Sequence, residues 1–240
     1  MDCAKHARGK NPRLWTIDAL RGTAIALMVV YHVIFDLHYL GIARFAMNGW
    51  PLLLMQRTIA VLFLGLVGAN LAIKKRTFLQ DAKRAGIVFL FAILITVATS
   101  IWPGDGAIVW GVLHFIALSI ILGHFFVRLG KWNVLAGIGV LLLWAALSGK
   151  AAGSLLLLPF GFPPAGFYSF DYCPLLPWFS LVLFGIAVGN AGIFQKLDTK
   201  ISKPDFANSF CWAGRHSLAI YLLHQPIILL LLFFSRVITG

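Results

Sequence analysis

Charge is scarce in this sequence. Only 12% of its 240 residues are charged, against about 25% in soluble domains, which excludes an ordinary soluble globular protein. The acidic side is thinner still, because all eight acidic residues are aspartates. Cysteine is scarce too. Cys3, Cys173 and Cys211 lack the spacing of a metal-binding cluster, so neither a metal site nor a structural disulfide is expected of them. Cys173 is expected outside, and Cys3 and Cys211 inside. No polar segment is long enough to fold separately, so residues 1–240 read as one integral-membrane domain. No internal repeat is found. A basic start (Lys5, Arg8, Lys10, Arg13) leads into a full-length apolar span without a small-residue cleavage site, so no cleavable signal peptide is expected.

What is abundant is apolar surface. Hydrophobic residues make up 60% of the chain and the mean hydropathy is +0.88. Runs near 20 apolar residues predict transmembrane helices at about 16–39, 56–73, 85–102, 107–127, 132–149, 174–193 and 214–236. The expected fold is therefore an all-α, polytopic helix bundle of about seven spans. "WPGDGA" reads as a tight turn between the third and fourth, and the Gly- and Pro-rich stretch 150–173 as the longest non-helical segment.

The net charge of +12 does not indicate nucleic acid, because apolar runs split the basic residues into clusters. With the N-terminus in the cytoplasm, sixteen of the twenty basic residues lie at or near that side, leaving Arg44, Arg57, Lys150 and Arg236 outside. That bias predicts an inner-membrane, multi-pass topology with the N-terminus cytoplasmic and the C-terminus outside.

The first span, "LRGTAIALMVVYHVIFDL", keeps three ionisable groups. Asp18 and Arg21 are three apart and share a face near the cytoplasmic end. His32 lies eleven residues beyond Arg21, about 16 Å along the axis and about three turns on, hence on the same face. Asp36 follows at i+4. A charged Asp in the bilayer centre costs about 2.5–3.5 kcal/mol, more than a structural Asn or Ser, so the His–Asp pair favours function over structure. A carboxylate beside an imidazole fixes its tautomer and raises its basicity, as a general base requires. Arg57 opens the second span, His114 lies early in the fourth and His224 midway in the last, beside Pro226. His38 and His124 lie near span ends and read as interfacial. Asp171 and Trp178 sit in "FDYCPLLPW" at the outer mouth. Each alone is more often structural; together they fit one wet cavity, with His114 and His224 approaching His32.

"IDALRGTAIALMVVYHVIFDL", "RTIAVLFLGLVGANL", "GVLHFIALS", "DYCPLLPW" and "GRHSLAIYLLHQP", in that order, resemble bacterial proteins related to the catalytic domain of heparan-alpha-glucosaminide N-acetyltransferase, over nearly the whole chain. Arg21, ten residues, then His32 is similar to the R-x10-H signature of the acyltransferase-3 membrane enzymes. The resemblance implies transfer of an acyl group, usually acetyl, from cytoplasmic acyl-CoA to a hydroxyl or amine, often on a sugar, across the membrane. Acetyl-CoA is then the acyl donor, the partners are a sugar-like acceptor and the lipid bilayer, and no metal or nucleic acid is expected; association as a homodimer is left open. His32 and Asp36 would be catalytic, with Asp36 orienting His32. Arg21 and Asp18 would serve the CoA phosphates, and Arg57, His114, Asp171, Trp178 and His224 the acceptor or the oxyanion. Two departures stand. The lysosomal enzyme carries Asn where His32 stands, so catalysis is assigned to His32 through the R-x10-H match, and there is no luminal domain here to recognise a polymer. The alternative readings are a transporter using the polar stripe, or a haem protein with axial ligands from His32, His114 and His224.

Overall fold

The computed structural model describes residues 13–149 and 153–239. Cys3, Lys5, Arg8, Lys10 and Lys150 lie outside the described residues, as does the side chain of Arg236. The chain runs α1 (Trp15–Tyr39), α2 (Trp50–Lys74), α3 (Phe78–Ile101), α4 (Val112–Phe126), α5 (Asn133–Leu147), α6 (Leu175–Asn190), α7 (Ile193–Lys200), α8 (Ala207–Arg215) and α9 (Ser217–Thr239), with 3-10 turns at Val127–Trp132 and Leu155–Phe160. No strand occurs among the described residues. An all-helical chain suits a bilayer, where each backbone polar group must be satisfied within its own segment.

Each apolar run expected to span is helical, but fewer of these helices qualify as spans. Five helical stretches are long and apolar enough to cross a membrane, or six if α6 continued by α7 counts as one broken span. The difference from seven lies mainly at Val112–Leu147, which counts as one apolar stretch. Gly130 interrupts it with φ 56° and ψ −126°, a conformation that suits glycine. Asn133 holds that break, its Nδ2 donating to the carbonyls of Phe126 and Gly130 at 2.9 Å each. At 15 residues each, α4 and α5 are about 22 Å long, short of the roughly 30 Å hydrocarbon core.

The described residues form two compact units. One holds α3 to α6 with the second half of α2, around a core in which Phe115, Ile120, Val182, Leu183 and Ile186 are fully buried. A capping box starts α3: the Gln80 N–H donates to Thr77 Oγ1, and the Thr77 N–H donates back to Gln80 Oε1.

The other unit holds α1, the first half of α2, and α7 to α9. The carboxylate of Asp198 caps α1, accepting from the N–H groups of Trp15 at 2.7 Å and Thr16 at 3.3 Å. Against α1 lies α8, closely enough that a Cβ on Gly22 would meet the Phe210 carbonyl oxygen at 1.9 Å and one on Gly214 the Asp18 oxygen at 1.8 Å. Only glycine on each helix permits such backbone contact, the small-residue packing of membrane helices. From α8 the chain passes into α9, which also packs along α1.

Candidate functional site

The polar stripe of α1 begins at Asp18, which is buried. Its carboxylate accepts from Arg13 Nε at 2.7 Å and from Arg21 Nη1 at 3.4 Å. The same Arg21 nitrogen reaches the Gly214 carbonyl of α8 at 3.5 Å. The shared face expected from the three-residue spacing is formed, and the glycine contact lets Arg21 span both helices. Its guanidinium is mostly covered, with 20% of the side chain exposed.

Higher on α1, His32 Nδ1 lies 2.8 Å from the Met28 carbonyl oxygen. A carbonyl only accepts, so Nδ1 carries the proton and Nε2 keeps its lone pair. On α9, His224 repeats the arrangement: its Nδ1 donates to the Tyr221 carbonyl at 2.6 Å, and its Nε2 is buried with no hydrogen-bond partner among the described residues. The two rings meet edge to face, centroids 4.6 Å apart and planes at 82°. The expected approach of His224 to His32 is present. Tyr31 flanks His32, and Tyr221 flanks His224.

The expected contact between Asp36 and His32 is not the one formed. Asp36 is buried at 2% exposure, and Gln225 Nε2 donates to both of its oxygens, at 2.8 and 2.9 Å. Helical side chains lean toward the N-terminus of their own helix. His32 accordingly bonds back to Met28, while α9 supplies the donor for Asp36. Because a carboxylate accepts only, the amide orientation is forced, and Gln225 Oε1 is left buried without a donor among the described residues. Sequence reasoning passed over Gln225. The available signal was an uncharged amide beside a histidine in an otherwise apolar helix.

The remaining candidates are His114, Asp171, Trp178 and Arg57. His114, on α4 in the other unit, has the opposite tautomer. The Gly111 N–H donates to its Nδ1 at 3.3 Å, so the proton sits on Nε2, which faces Thr96 Oγ1 at 3.5 Å. Its ring stacks on Trp110. Asp171 accepts from the Val112 N–H at 3.0 Å and thereby caps α4. Trp178 packs on the core of that unit at the start of α6. Arg57 is exposed on α2.

The family model described as "Heparan-alpha-glucosaminide N-acetyltransferase, catalytic" matches residues 13–226. The chain belongs to this family. No curated protein and no solved structure matches it significantly. Together with its apolar helices, membership makes it a multi-pass membrane protein of an acetyltransferase family. The matched range holds every candidate from Asp18 to His224, and also Gln225.

Within an acetyltransferase the geometry sorts the residues by chemistry. His32 and His224 present unprotonated Nε2 atoms, the form that accepts a proton; His114 presents Nε2–H, the form that donates. Rings touching at 4.6 Å leave no space between His32 and His224 for a porphyrin plane, so the haem reading loses that ligand pair. Among the described residues no group of three His, Cys, Asp or Glu could hold a metal. Cys173 is a poor acyl carrier, because burial, with Asp171 adding to it, pushes its thiol well above the usual range. A second buried polar contact was also missed. Asp81 of α3 lies 2.8 Å from His124 Nδ1 of α4 and 3.8 Å from Arg76, so His124 is a helix-pairing residue as well as a terminal one.

Proposed function

We propose that the protein moves an acetyl group from cytoplasmic acetyl-CoA to a hydroxyl or amine on a sugar-like acceptor at the extracytoplasmic side, with His32 as general base. The observation that carries this reading is the locked tautomer of His32. Met28 holds the proton on Nδ1, so Nε2 is available to take one from the acceptor as it attacks the thioester. The carbonyl carbon gains the acceptor oxygen or nitrogen, the C–S bond breaks, and sulfur leaves as thiolate to be protonated. The reading is supported by family membership and by the position of His32, about 16 Å along α1 from the basic end, where a pantetheine arm can present its thioester.

In this reading Arg21 meets the CoA phosphates, a charge-assisted contact for which arginine is well suited, and Asp18 orients its guanidinium. Asp36 acts through Gln225 by setting α9, and hence His224, against α1. Its role is positional; it does not touch the base.

The reading is tested in proteoliposomes, with radiolabelled acetyl-CoA on one face and a panel of amino and hydroxyl sugars on the other. Label is expected on at least one acceptor. Label that crosses the membrane on intact acetyl-CoA, with no product on any acceptor, would establish transport and defeat the proposal.

A further inference from the structure

His224 is 9% exposed, and its Nε2 is a buried acceptor with no donor among the described residues. Buried acceptors are costly to leave unpaired, and native structures keep few. Here the histidine is not adjustable by tautomer exchange, since Nδ1–H is held by Tyr221 at 2.6 Å. His32 is held in the same way by Met28. Two imidazoles in contact, both fixed with their protons on Nδ1, form a pair that lacks one proton on the Nε2 side.

We infer that His32 and His224 work as one acid–base unit that takes up a single proton on the Nε2 side and passes it to the leaving group. This rests on the acetyl-transfer reading. The acceptor X–H bond breaks as X attacks the thioester carbonyl, and its proton goes to His32 Nε2. The edge-to-face contact sets the ring of His224 against the imidazolium, so a positive charge on one ring disfavours a second on the other. When the C–S bond breaks, sulfur leaves with the electron pair and takes that proton as a thiol. Acyl-CoA and HX become acyl-X and CoA thiol, and both histidines end neutral, as they began. His224 is thus a catalytic residue, and Gln225, fixed on Asp36, a positioning residue that seats it.

Among the described residues of this unit, these titratable groups flank the pair or lie within about a helical turn of it. From α1 they are Tyr31 and Asp36, the latter engaged by Gln225; from α9, Tyr221. The charged groups where α8 meets α1, Asp18 and Arg21, lie about 16 Å lower along α1.

The test is ring-15N NMR of histidine-labelled full-length protein in nanodiscs as pH is lowered, on wild type, His224→Asn and His32→Asn. Asparagine retains a donor near the Nδ1 position and removes Nε2, which spares the backbone contact. In wild type the His32 and His224 signals should follow one common step worth one proton. In His224→Asn the His32 curve should move, and in His32→Asn the His224 curve should move. In the transfer assay, His224→Asn should lower kcat on the order of 10²-fold, with KM for acetyl-CoA unchanged. A His32 curve that runs the same course in His224→Asn as in wild type overturns the inference. Coupled titration with transfer that does not depend on His32 would leave the pair standing and sink the acetyl-transfer role; uncoupled titration with an inactive His32→Asn would do the reverse.

Discussion

The chemistry of a histidine inside a membrane helix depends on which nitrogen holds its proton. Met28 and Tyr221 fix that choice for His32 and His224, and the Gly111 N–H fixes the opposite choice for His114. Acid should therefore stop transfer, because a protonated Nε2 has no lone pair; a pH–rate profile flat through the acid range would contradict this. Asp36 poses a different question. Replacing Gln225 by leucine strands a buried carboxylate, a loss of about 3–5 kcal/mol if the charge persists. Gln225→Leu should lower the melting temperature strongly, Asp36→Asn only slightly, and Asp36→Leu with Gln225→Leu together should recover part of the loss, all readable by thermal unfolding in detergent. Recovery would be absent if the pair contributed only as an activity determinant. The Asp36 partner was not legible in the sequence, since Gln225 lies 189 residues away. What was legible was the stripe itself, because a period of 3.6 residues puts Asp18, Arg21, His32 and Asp36 on one face.

At the scale of the helix, α1 is set by a cap at its base and a glycine contact along its side. Asp198 supplies the cap, and Asp198→Ala should cost about 0.5–2 kcal/mol of stability. The glycine contact is less forgiving. A methyl at Gly214 would lie 1.8 Å from a backbone oxygen, which no side-chain rotation relieves. Gly214→Ala should thus force α8 off α1 and move Arg21, weakening acetyl-CoA binding and lowering the melting temperature. Gly139→Ala is the control: a Cβ there meets nothing within 4 Å, and stability should be unchanged or slightly higher. If both variants behave alike, the packing account of α1 and α8 is wrong. Hydropathy located these helices well and their ends poorly. The start of α4 at Val112 depends on the Asp171 carboxylate that accepts from the Val112 N–H, and a side chain 59 residues distant gives no sign of that in a hydropathy window.

For the whole molecule, the legible property was solvent: a chain this apolar, with basic residues gathered in clusters, belongs in a bilayer. The number of crossings was less legible, because length and composition alone cannot weigh a glycine break such as Gly130. The charge bias predicts that reporters fused to the N-terminus read out as cytoplasmic. Arg21→Ala should weaken acetyl-CoA binding from that face, and added salt should weaken it further; unchanged affinity would remove Arg21 from that role. The central claim, that His32 Nε2 takes the acceptor's proton, is tested most directly by His32→Asn in proteoliposomes, with acetyl transfer and acetyl-CoA binding measured on the same preparation. The account predicts transfer reduced about 10²–10⁴-fold with binding and melting temperature preserved. Turnover at the wild-type rate would contradict it.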